Sequence, residues 1–183
     1  MKKALLLVDI QNDYFENGAW ELVGATEASI QARKVLDHFR KENASIIHIQ
    51  HLAVGEELPF FKPDTYGVEI HLNVQPLEGE KLIVKHHPNS FKETDLLEYL
   101  KSEGITELVI TGMMTHICID ATTRAAKDFG FDCTVIADAC ASRDLELDGK
   151  IVKALEVHTA FLSALGFAYA SVISADAYIR SQK

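Results

Sequence analysis

Short aliphatic runs alternate along the chain with amphipathic segments, and most switches fall on a charged or turn-prone residue. Ala4 to Val8 is an unbroken apolar run that stops at Asp9, the pattern of a strand covered on both faces. Residues 26–42 place Ala28, Ala32, Val35, Leu36 and Phe39 on one stripe of a helix. Residues 45–50 and 81–85 read as the second and third strands. Thr94 or Asp95 opens a helix carrying Leu96, Leu97 and Leu100 and closed by Gly104. Residues 108–111 form a fourth strand that meets Gly112 at once. Thr115 then caps a helix through Ala121, Ala125 and Ala126 to a stop at Gly130. Residues 133–137 are a fifth strand. A helix over 148–165 has Ile151, Leu155, His158, Leu162 and Leu165 on one face, residues 167–172 are a sixth strand, and a last helix begins near Ser174. The irregular segment 51–75, rich in Pro, Gly and aromatics, has the length of a lid or pocket wall.

Strands alternating with helices predict right-handed βαβ units, hence an α/β domain spanning residues 1–183 with a mostly parallel sheet between two helical layers. Such sheets bind ligands beyond the carboxyl ends of their strands. Asp9 ends the first strand, Lys85 ends the third, and Cys118 follows the fourth after one turn, so an acid, a base and a thiol converge on one rim.

Composition narrows the setting. With 48% hydrophobic and 25% charged residues the chain is that of an ordinary globular protein. The net charge of -9 gives no electrostatic reason to expect nucleic acid or an anionic membrane surface. Three cysteines in no framework spacing fit a reducing, cytoplasmic compartment. The basic start followed by an apolar run is read as a strand, because the run breaks at Asp9.

The convergent trio suits nucleophilic catalysis. A thiol in the first turn of a helix faces free backbone N–H groups and the positive end of the dipole, both of which favour a thiolate. Asp9 accepts the thiol proton, and Lys85 stabilises the anion. Backbone N–H groups of Met114 and Cys118 are placed to hold an oxyanion. Cys133 and Cys140 have no partner motif and are expected to be buried, His86-His87 to be a loop pair and His158 to pack on a helix face.

Three segments together, Val8-Asp-Ile-Gln-Asn-Asp-Tyr-Phe15, Lys85 with Asn89-Ser-Phe91, and Gly112-Met-Met-Thr-His-Ile-Cys118, resemble the isochorismatase-like cysteine hydrolases. The resemblance covers nearly the whole chain. It implies a three-layer α/β/α sandwich whose six-stranded parallel sheet has the order 3-2-1-4-5-6. It also implies an Asp9–Lys85–Cys118 triad, a cis peptide between Met113 and Met114 that aims the Met114 N–H, and a homodimer or homotetramer. Nicotinamidases of that family carry a metal-binding Asp-x-His, and here the Asp slot is Ile49, ahead of Gln50 and His51, so no metal and no cofactor are expected. Isochorismatases commonly lack the cysteine, and its presence favours attack on an acyl carbon. The expected reaction is cleavage of an amide-like C–N bond in a small molecule, with vinyl-ether hydrolysis using Asp9 as acid, or a silent binding or redox-sensing role, as alternatives. Phe15, Trp20, Tyr66, Phe91, Thr115 and His116 are the candidates for the substrate pocket.

Overall fold

The computed structural model describes residues 2–55 and 59–182. The chain runs β1 (Lys2–Val8), α1 (Ala25–Lys41), β2 (Ser45–His51), β3 (Lys81–Lys85), α2 (Leu96–Ser102), β4 (Ile105–Met113), α3 (Asp120–Asp128), β5 (Asp132–Ala141), β6 (Leu145–Leu147), β7 (Lys150–Val152), α4 (Ala154–Ala168), β8 (Ser171–Ile173) and α5 (Ala175–Ser181). Six strands form one parallel sheet in the order β3-β2-β1-β4-β5-β8. This is the expected order, with β8 in the place of the sixth strand.

The alternation of β1 explains the layers. Leu5 and Leu7 join Ala28, Ala32, Val35, Phe39 and Tyr178 on the face covered by α1 and α5. Ala4, Leu6 and Val8 join Leu96, Leu100, Ala126, Leu162 and Leu165 under α2, α3 and α4. A strand buried on both faces has no polar positions, which is why the sequence showed a continuous apolar run.

The strand termini bring the chemistry together. Val8 pairs with Ile49 of β2 and with Gly112 of β4, so the end of β1 lies at the centre of the sheet. A Cβ on Gly112 would lie 1.9 Å from the Val8 carbonyl oxygen, and its φ is +130°. Only glycine lets β4 approach the end of β1 this closely. Asp9 itself sits at φ 52°, an unusual value for a non-glycine residue, and it turns the chain off the strand.

Two assignments are corrected in the C-terminal third. Residues 145–152 are a two-stranded antiparallel hairpin and not the start of a helix. Its tip is Asp148-Gly149, at φ 51° and 76°, the positive-φ pair that a tight hairpin turn requires. Ile151, expected on the helix stripe, therefore lies on β7 and is exposed. The helix starts at Ala154 and runs past the predicted stop through Phe167, which is 92% exposed. Leu155 is also exposed, whereas Leu162 and Leu165 are buried as the stripe required. The last strand is correspondingly short, Ser171–Ile173.

The segment 51–75 contains two 3-10 turns, Tyr66–Val68 and Leu72–Val74, and its residues 56–58 lie outside the described residues. Asp13 ties this segment down, accepting from the Ala19 and Phe61 N–H groups at 3.1 and 2.6 Å. Among the described residues no helix is long and apolar enough to cross a membrane.

Candidate active site

Asp9, Lys85 and Cys118 meet at the carboxyl rim, each at most 2% exposed. The Lys85 Nζ lies 2.7 Å from Asp9 Oδ2 and also donates to the carbonyls of His87 and Pro88 at 3.1 and 3.2 Å. The loop supplying those carbonyls is latched to α3, because the Ser90 N–H and hydroxyl both contact Thr122 Oγ1, at 3.1 and 2.8 Å. In the Asn89-Ser-Phe91 motif the serine is thus a fastener between the β3 end and the helix after Cys118.

Cys118 lies within a wide π-type turn, Thr115–Ile119, that precedes α3. The Met113–Met114 peptide leading into it is cis. Thr115 does not cap a helix as expected. Its hydroxyl donates to the Ala141 carbonyl at 3.0 Å and accepts from His158 Nδ1 at 2.9 Å, so His158 braces the turn.

Electrostatics fix the resting charges. Burial alone would raise the Asp9 pKa, but Lys85 and His51 outweigh it, and Asp9 is held below its ordinary value. Burial likewise works against the Lys85 ammonium, yet Asp9 and Cys118 keep its pKa above normal. The two form an ionised pair. Cys118 goes the other way. Burial, with the Asp9 carboxylate beside it, pushes the thiol far above its usual pKa despite Lys85. Burial and the Asp9 carboxylate thus work against the thiolate that the helix N-terminus and Lys85 favour. Complete desolvation of the sulfur exceeds the help of one cation and one helix end.

His51, absent from the sequence-based set, belongs to the same cluster. Its Nδ1 lies 3.4 Å from Lys85 Nζ and 3.8 Å from Asp9 Oδ2. One ring nitrogen, one Asp9 oxygen and Cys118 Sγ all fall within 4.8 Å of one another. Gln11 positions it, accepting from the His51 N–H at 2.8 Å and donating to its carbonyl at 2.9 Å. The signal was available: His51 ends β2 as Asp9 ends β1 and Lys85 ends β3. Tyr14 is a second neighbour, its phenol pKa pushed up by burial and then by Cys118 and Asp9. Ile49, by contrast, is a core side chain with no donor to offer.

Beside the cysteine turn opens a cleft of about 540 Å³ lined by Trp20, Met114, His116, Ile117, Arg143 and Ile151 among others. Of the expected pocket residues, Trp20 and His116 line it. The Arg143 guanidinium lies 4.0 Å over the Trp20 ring, and among the described residues it forms no salt bridge. His116 is kept neutral by burial and by Arg143, and shares a 2.7 Å hydrogen bond with Ser142 Oγ. The other candidates lie elsewhere. Phe91 packs on Phe129 and Phe131 in the core, because the Ser90 latch turns it inward. Phe15 is buried and stacks on His71 at 3.7 Å, Tyr66 is 72% exposed, and Thr115 is consumed by its two hydrogen bonds. Cys133 and Cys140 are buried, as expected.

Comparison with known proteins places this architecture. The isochorismatase domain model matches residues 3–168. The isochorismatase family protein YddQ of Bacillus subtilis, itself uncharacterized, is 50% identical over 180 residues, covering 98% of this chain and all of that one. Streptothricin hydrolase of Streptomyces noursei is 32% identical over 144 residues, covering 78% of this chain and 56% of its own. A crystallographic relative from Oleispira antarctica superposes with a TM-score of 0.94 at 48% identity, over 98% of this chain and 96% of that one. The chain belongs to the isochorismatase family, whose members are hydrolases.

Proposed function

We propose that the protein is a cysteine hydrolase that cleaves an amide-like C–N bond in a small molecule. The observation that carries this reading is the buried meeting of the Asp9–Lys85 pair with the Cys118 side chain at the carboxyl rim of the sheet. A neutral thiol beside a carboxylate that is already ionised is ready for proton transfer on substrate binding. Asp9 takes the proton as Cys118 Sγ attacks the carbonyl carbon, and Lys85 balances the charge. The N–H groups of Met114 and Cys118 hold the oxyanion. The leaving amine takes the proton from Asp9; water, deprotonated by Asp9, then attacks the thioester, the C–S bond breaks, and the departing Cys118 sulfur takes that proton from Asp9. Arg143 at the cleft favours substrates with an anionic end.

The test is a screen of small amides and carbamoyl compounds for amine or ammonia release, with acid-quenched protein examined by mass spectrometry for an acyl adduct on Cys118. Folded Cys118→Ala should lose turnover and adduct together. Its retention of near-normal turnover would favour a reaction driven by proton transfer from Asp9 alone.

A further inference from the structure

We infer that the outer face of α4 is a contact between two copies of this chain. The two helices pack antiparallel across a two-fold axis near Ser163, and Phe167 of each copy seats in a groove on the other. The inference does not depend on the proposed reaction.

Helical spacing makes the first case. At about 100° per residue, Glu156, Thr159, Ala160, Ser163 and Phe167 fall within roughly 60° of one line along α4. Val157, Leu162 and Leu165 point away from that line and are buried. The outward line is exposed along its length, yet Glu156 is its one charged residue. Phe167 stands at one end as a knob, 92% exposed. Towards the other end Leu155, Glu156, Thr159, Ala160 and Ser163 line a shallow groove of about 540 Å³. The Thr159 hydroxyl donates back to the Leu155 carbonyl at 2.7 Å, so it needs no partner in an apolar contact.

Symmetry makes the second case and selects the occupant. A knob and a groove on one helix face are the two halves of an isologous contact, in which each copy offers both. With Ser163 on the axis of an antiparallel pair, Phe167 lies opposite Thr159 of the other copy, four residues to either side of the axis. Each knob therefore meets a groove. Ala160 and Ser163 stand at the crossing, where small side chains let the helices approach. Charge agrees. At a net charge of -9, two copies repel over most of their surfaces. On this face the two Glu156 carboxylates end about 21 Å apart, at 1.5 Å of rise per residue, which exceeds the screening length of about 10 Å at 0.1 M salt. Area agrees as well. Phe167 offers on the order of 200 Å², and the exposed Leu155 and Val23, which border one cleft, add roughly 100 Å² each. That is about half of the roughly 800 Å² that each copy buries in a standard interface, before the small residues and a polar rim are counted.

Sedimentation velocity on the protein at micromolar concentration should show a dimer, or an even-numbered assembly built from it. Phe167→Glu places a carboxylate in each groove and should raise the dissociation constant at least about 100-fold. The assembly mass should halve while far-UV circular dichroism stays unchanged. Ser163→Cys should form a disulfide with its own copy under mild oxidation, because the two sulfurs meet on the axis. Glu156→Cys, far from its copy, should not, and the three native cysteines are buried. A wild type that stays monomeric at high micromolar concentration would overturn the contact and leave the face to a different partner. An undiminished mass for folded Phe167→Glu, or cross-linking at 156 and not at 163, would overturn it too. If Phe167→Glu does not fold, the two cysteine variants still decide.

Discussion

Lys85 meets Asp9 at 2.7 Å where neither side chain is reached by water. A buried ion pair of this kind contributes little net stability, but removing one partner strands the other charge in the interior. The pair therefore acts as a constraint on the site more than as a strut of the fold.

Lys85→Met should lower unfolding free energy by about 3–5 kcal/mol, measured by urea denaturation. The double variant Asp9→Asn, Lys85→Met should recover most of that loss and remain inactive. A double variant as unstable as the single would assign the loss to packing of the lysine stem.

The raised Cys118 pKa gives a second expectation. Without substrate, alkylation at pH 7 should be slow, and its rate should keep climbing with pH beyond the range where an ordinary thiol, with a pKa of about 8.5, has levelled off. A plateau in the rate by about pH 9.5 would show an ordinary thiol and remove the need for substrate-triggered proton transfer.

Arg143→Ala should raise KM for carboxylate-bearing amides by roughly 10–100-fold, the equivalent of one charge-assisted hydrogen bond, with kcat little changed. Neutral amides should be nearly indifferent. Equal effects on both classes would mean that Arg143 serves the cleft wall through its contact with Trp20.

Acid sensitivity should trace in part to Glu80. Burial would raise its pKa, but Arg40, the Leu77 N–H and His48 together lower it to about 2. Because the folded value lies below the ordinary 4.5, the stabilisation is complete above about pH 4.5 and is lost as pH falls towards 2. Glu80→Gln should cost about 1.5–3 kcal/mol at pH 7, and its difference from wild type should shrink through that acid window. A difference that stays constant with pH would point to shape and not charge.

Gly112→Ala should be severe, since positive φ and overpacking each cost roughly 1–3 kcal/mol. The drop should appear in thermal unfolding. A variant within about 0.5 kcal/mol of wild type would show that β4 can move away from Val8.

The sequence made the strand ends legible because continuous apolar runs are how doubly covered strands are written, and Asp9 and Lys85 terminate two of them. His51 follows the same rule but was read as part of a metal slot that Ile49 had broken. The charge state of Cys118 was not legible. It depends on burial of the sulfur inside a π-type turn, which no residue pattern announces. The hairpin is illegible for a different reason: Ile151 and Leu155 fall at helical spacing next to a genuine apolar helix, and that periodicity masks the Asp148-Gly149 turn signal. Phe91 falls on a loop near the rim, which points to the pocket, whereas beside the latch from Ser90 to Thr122 it packs into the core.

The β6–β7 hairpin contributes Leu145, Glu146 and Ile151 to the cleft but no residue to the six-stranded sheet. Its backbone bonds close on themselves, between the end of β5 and the start of α4. It is therefore a cassette: lengthening or rewriting it reshapes what the cleft admits while the strand ends that hold Asp9, His51 and Lys85 keep their register. Under the proposed reaction, new substrates would be acquired by changing the doorway, with the reacting groups left where they stand.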